Sequence, residues 1–173
     1  MRGRWWIPVG IVLLLGVAVV AFVVYGARGP SGTPAQKLER WVQGANLGQA
    51  IGTLTADGRN VAKAVAAHQG TNAMHTVCLV LADEAQTANQ NLPSPDTRVT
   101  EDLARGFALD YDAGEACYKA GATGTSLLAE SARDRTRADQ LFVQVLQRVR
   151  HLTGHSVSTT TTTTPGGTTS TFL

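Results

Sequence analysis

Three acidic side chains and two tyrosines crowd one short stretch, LDYDAGEACY, which holds Asp110, Asp112 and Glu115 beside Tyr111 and Tyr118. Carboxylates a few residues apart on a helix can work as an acid and a base on one bound substrate. A small-ligand binder or an enzyme built on this chain would use Asp112 and Glu115 with Tyr111 or Tyr118. The plainer reading is a solvated helix face, and Asp112 and Glu115 suit it. Asp110 stands apart, because it falls on an apolar stripe with Val99, Leu103, Phe107, Gly114, Cys117 and Gly121. Arg135 falls on the stripe of the next helix. If the turn between the two helices centres near residue 123, Asp110 and Arg135 lie at similar heights. The spacing then predicts an ion pair in or near the core, which sets register more surely than it adds stability.

The remaining polar clusters point to less. His151 and His155 have the i,i+4 spacing of a helical metal site. Gly154 lies between them at a helix end, however, and no HExxH arrangement is present. In RDRTR, Arg133, Arg135 and Arg137 interleave with Glu130, Asp134 and Asp139 at ion-pair spacing, as on an ordinary solvated helix. No Gly-rich phosphate loop follows a strand, and GxSxG is absent. No catalytic residue, metal or cofactor is therefore assigned, and the chain reads as a non-enzyme.

The two cysteines carry the firmest chemistry. Cys78 and Cys117 are the only ones, and each sits on the apolar stripe of its own predicted helix. Their midpoint falls at the turn LPSPDT. An antiparallel hairpin folded there sets Cys78 opposite Cys117 and Leu92 opposite Leu103. In an exported domain such a pair forms a disulfide. It closes a loop of about 40 residues, worth roughly 3–4 kcal/mol in the chain-entropy account. Two buried free thiols are the alternative. CxxC is absent, and a zinc site would need His68 or His75 to join.

The elements that position these groups are helices. Thr33 and Pro34 read as a helix cap and first residue, opening a helix through KLERWVQ. Gly44, Gly48 and Gly52 recur every four residues, which implies either close packing within the bundle or a frayed and broken helix. A second helix is expected from about Gly48 to His68, bent near Asp57 and Gly58. A third starts at Thr71 or Asn72 and runs to about Asn91, with Met74, Cys78, Leu81, Ala85, Ala88 and Leu92 on one face. After LPSPDT a fourth starts near Asp96 or Thr100. A fifth spans about Thr125 to Thr153, with Leu128, Arg135, Ala138, Phe142, Val145, Val149 and Leu152 as its stripe and Gly154 as its stop. The fold class is all-α: a small antiparallel bundle containing a disulfide-stapled hairpin.

Upstream lies Trp5 to Tyr25, WWIPVGIVLLLGVAVVAFVVY, a run with no charged residue. As a helix it spans about 30 Å, the thickness of a bilayer's hydrocarbon core. Trp5, Trp6 and Tyr25 fall at its ends, where interfacial aromatics anchor. Arg2 and Arg4 precede it, which favours an inside N-terminus. A cleaved signal peptide is the rival reading and would make the protein secreted and soluble; with no Cys before Cys78, a lipoprotein signal is excluded. The organisation is a cytoplasmic N-terminus 1–4, a transmembrane helix 5–26, a linker 27–33, an extracytoplasmic bundle 34–155, and a disordered Thr-rich tail 156–173. Of the 15 Lys and Arg residues, 12 lie in residues 31–155 with all 13 Asp and Glu, so the domain is slightly acidic. That balance gives nucleic acid no footing. The partners expected are the lipid bilayer, through Trp5–Tyr25, and a protein or other envelope component.

The pattern C…LPSPD…L…DAGEAC, in an Ala-, Gly-, Arg- and Thr-rich chain, resembles envelope proteins of high-GC Gram-positive bacteria over residues 71–121. The resemblance implies export and a disulfide, and no activity. The function expected is a membrane-anchored extracytoplasmic module that is structural or binds a protein.

Overall fold

The computed structural model describes residues 32–159. The expected transmembrane helix 5–26 with Trp5, Trp6 and Tyr25, the N-terminus 1–4, most of the linker and the tail from residue 160 lie outside the described residues. Among the described residues, no helix is long and apolar enough to cross a membrane.

Five helices make up the described chain, and the fold is all-α. They are α1 Pro34–Gly44, α2 Leu47–Ala66, α3 Thr71–Asn89, α4 Thr97–Ala120 and α5 Thr125–Thr153. Their ends follow the breakers. α1 gives way at Ala45–Asn46, where Asn46 takes a left-handed φ of 47°. α2 does not break at its glycines, and its helical hydrogen bonding continues through Asp57 and Gly58. Asp96 caps α4, its carboxylate accepting from the Val99 amide at 2.9 Å. The turn before that cap holds a cis Leu92–Pro93 bond. Ser94 donates its amide to the Thr100 hydroxyl at 2.9 Å and so closes the turn onto α4. Gly154 ends α5 with a φ of 76°, the left-handed residue that glycine adopts at little cost.

α3, α4 and α5 form two consecutive antiparallel hairpins. Along the first, His75 meets Tyr118, Cys78 is bonded to Cys117, and Ala82 lies against Gly114. Along the second, Asp96 meets Arg148, Phe107 meets Phe142, and Asp110 meets Arg135. In both series one number falls as the other rises. The Cys78–Cys117 disulfide joins Cα atoms 5.6 Å apart, and both sulfurs are wholly buried.

The stripe residues expected on α4 are all buried. On α3, Met74 through Ala88 are buried, while Leu92 falls beyond the helix and is half-buried. Each fully buried Leu, Val or Phe contributes about 1.5–3 kcal/mol. Leu152 departs from expectation and is 37 % exposed. The reason is length: Arg148 already pairs with the residue that caps α4, so the last turn of α5 outruns its partner helix. α1 and α2 lie against this unit, and Trp41 donates its indole N–H to the Asn91 carbonyl at 3.2 Å. Packing also continues past His155, since Val157 contacts the core.

Candidate functional site

Three of the clustered α4 groups, Glu115, Tyr111 and Asp112, lie within electrostatic reach of Lys119. Glu115 pairs with Lys119 at 2.8 Å on the surface. Tyr118 leaves toward α3, its ring 4.1 Å from that of His75. Tyr111 is 40 % exposed. Asp112 instead lines a shallow depression with Arg105 and Arg137, which contains neither Glu115 nor a tyrosine. His155 lies 4.0 Å from Glu39. Among the described residues, no group of three or more acidic, His or Cys side chains is arranged to hold a metal ion.

Asp110 and Arg135 are brought together. Arg135 donates through Nη1 to Oδ1 of Asp110 and through Nη2 to Asp139 at 2.6 Å. Asp110 is fully buried, and its Oδ2 has no partner. Burial pushes its carboxyl up to about 7, while the guanidinium beside it pulls the other way. Arg135 is seated against α2. A Cβ on Gly58 would lie 1.9 Å from Nε of Arg135, so the glycine makes room for the guanidinium. Beside it, burial raises Asp57 above the usual carboxylate range, and Glu84 adds to the effect. One arginine thus serves several carboxylates where α2, α4 and α5 meet.

That charged knot lies on the side of a furrow between α2 and α5. On one side is a cavity of about 470 Å³ walled by Val61, Val65, Leu81 and Leu128, with Arg135 at its edge. On the other is a cavity of about 370 Å³ lined by Ile51, Thr55, Phe142 and Leu146. The two share Thr55, Arg59 and Asp139, which makes them one continuous furrow. Its walls are mostly apolar, and its polar groups gather at the middle. The lining also carries the hydroxyls of Thr55, Ser131 and Thr136, and a mostly apolar concave surface of this kind is a candidate for binding an apolar group.

The Arg135–Asp139 pair has the i,i+4 spacing expected of RDRTR, whereas the Asp96–Arg148 pair was not foreseen from the sequence. The register that sets Asp110 opposite Arg135 also sets Asp96 opposite Arg148, so the second pair was within reach of the same argument. No protein-family model, curated protein or solved structure matches the chain.

Proposed function

We propose that this chain is a membrane-anchored, extracytoplasmic interaction module whose binding element is the furrow between α2 and α5. The observation that carries the reading is the furrow, with its walls of Val61, Val65, Leu81 and Leu128 beside the charged knot at Arg135. The uncharged run Trp5–Tyr25 supports tethering, and the Cys78–Cys117 disulfide supports an oxidising compartment.

Two measurements test it. A membrane-impermeant amine reagent applied to intact cells should label the exposed Lys63 and Lys119. Labelling that appears only after lysis overturns the extracytoplasmic assignment. A photo-crosslinking residue placed in the full chain at Ala62 or Ala132, both on the furrow, should trap a partner that the same residue at Arg98 does not. Equal trapping at Arg98 removes the furrow as the binding element.

A further inference from the structure

The furrow between α2 and α5 has two apolar lobes joined at a polar waist. The helices run antiparallel along it. Val65 and Leu128 line one lobe, Gly58 meets Arg135 at the middle, and Ile51 and Phe142 line the other lobe. The first lobe holds about 470 Å³ and the second about 370 Å³. Thr55, Arg59 and Asp139 belong to both and form the waist. From Ile51 to Val65 is about 21 Å along α2, with Gly58 midway. Each lobe thus reaches about 10 Å from the waist.

The waist is rich in donors and short of acceptors. Asp139 is the one carboxylate that lines either lobe, and Arg135 already holds it at 2.6 Å. Nε of Arg135 is buried and has no acceptor. Arg59 is exposed, and among the described residues no carboxylate pairs with it. Thr55, Ser131 and Thr136 add hydroxyls, which donate as readily as they accept. An anion at the waist supplies the acceptor that Arg59 lacks. A second cation there finds no free carboxylate.

We propose that the furrow takes a two-chain anionic phospholipid, with its head group at Arg59 and one acyl chain in each lobe. The order of the lining carries the inference: apolar, polar, apolar along one line. A molecule that branches from a charged head matches that order. A single-chain amphiphile carries its head at one end and leaves one lobe in water. Each lobe has the size of an ordinary ligand pocket, about 300–1,000 Å³. The inference rests on reading the furrow as the binding element and names what fills it. The tether proposed for this chain makes bilayer lipid the apolar molecule it meets at the highest effective concentration.

The full chain, held in an amphipol and isotope-labelled at its methyl groups, is titrated with dioctanoyl phosphatidylglycerol and separately with dioctanoyl phosphatidylcholine. The anionic lipid should shift the NMR signals of Val65 and Leu128 in one lobe and of Ile51 and Leu146 in the other, along a single saturation curve. Leu109 and Leu141, in the depression between α4 and α5, should stay still. Arg59 is exposed, so Arg59→Gln leaves the core intact. That variant with phosphatidylglycerol, and the parent with phosphatidylcholine, should each need about five times more lipid for half-saturation. Unmoved signals in either lobe overturn the proposal, as do separate curves for the two lobes. Equal half-saturation in all three titrations, or equal shifts at Leu109 and Leu141, overturns it as well. The two readings fail separately: a protein trapped at Ala62 in a chain whose lobes ignore both lipids removes only the lipid, and lipid shifts in a chain that traps no partner on cells remove only the interaction reading.

Discussion

Arg148 grips both carboxylate oxygens of Asp96, its Nε and Nη2 each donating at 2.9 Å, while Asp96 also caps α4. One side chain thus starts a helix and ties that start to the end of the next. Replacing Asp96 by alanine removes both roles. The cap is worth about 1 kcal/mol, and the part-exposed pair adds at most about 1 kcal/mol. We predict a loss of about 2 kcal/mol for Asp96→Ala in urea unfolding and about half that for Asp96→Asn, which keeps the cap. Equal losses would assign the whole effect to the pair.

Asp96 and Asp110 respond to pH in opposite directions. The Arg148 hydrogen bonds hold Asp96 below its ordinary value, so its contribution is present above pH about 4 and fades as pH falls further. Burial holds Asp110 up near 7. Its contribution is complete below its unfolded value near 4 and is lost as pH rises through about 7. We predict a stability maximum near pH 5 in urea titrations from pH 3 to 8. Asp110→Asn should flatten the decline between pH 5 and 8; an unchanged decline assigns it to another group.

Breaking the buried pair should cost more than replacing it. Arg135→Ala leaves Asp110 without a cation, which typically costs roughly 3 kcal/mol or more. An apolar pair of similar volume, Asp110→Leu with Arg135→Met, should unfold close to the parent. A double variant as unstable as Arg135→Ala would mean that the site needs its charges for the fold itself.

The disulfide should resist reductant until the bundle opens, since both sulfurs are wholly buried. Its 39-residue separation predicts a loss of roughly 3–4 kcal/mol when Cys78 and Cys117 are both replaced by alanine. Chemical denaturation of parent and variant measures it directly. Thiol release from the folded parent at low denaturant would contradict the burial.

Two glycines should behave oppositely. Nothing lies within 4 Å of a Cβ on Gly44, so Gly44→Ala should gain about 0.5–1 kcal/mol. A Cβ on Gly114 would lie 2.8 Å from both Ala82 Cβ and the Cys78 carbonyl oxygen. Gly114→Ala should wedge α3 from α4 and lose about 1–3 kcal/mol. Melting temperatures of the two variants compare them.

What could be read from the sequence was what local chemistry determines. Gly70, LPSPDT, Gly121–Gly124 and Gly154 mark helix ends because glycine and proline act on their own neighbourhood. The cysteine positions gave the α3–α4 register, since two bonded residues must share a height. The furrow was not legible, because its width depends on where α2 settles against α5. Gly48 read either as a close-packing position or as a break, and Gly58 as the site of a bend. Each is the place where another part of the chain comes too near for a side chain, Ser158 in one case and Arg135 in the other. Asp112 and Glu115 are neighbours on one helix, as read, and both lie within electrostatic reach of Lys119. Val157 was lost in a low-complexity tail, where one apolar residue gives no periodicity to detect.

The staple between Cys78 and Cys117 also decides how the domain yields to pulling. Force applied along the chain passes from residue 78 to residue 117 through the sulfur bridge. The residues between them, most of the α3–α4 hairpin, stay slack however hard the ends are drawn. Roughly 130 Å of contour length is withheld from extension. A tether built this way lengthens less under load than its residue count suggests, and its central hairpin bears no tension.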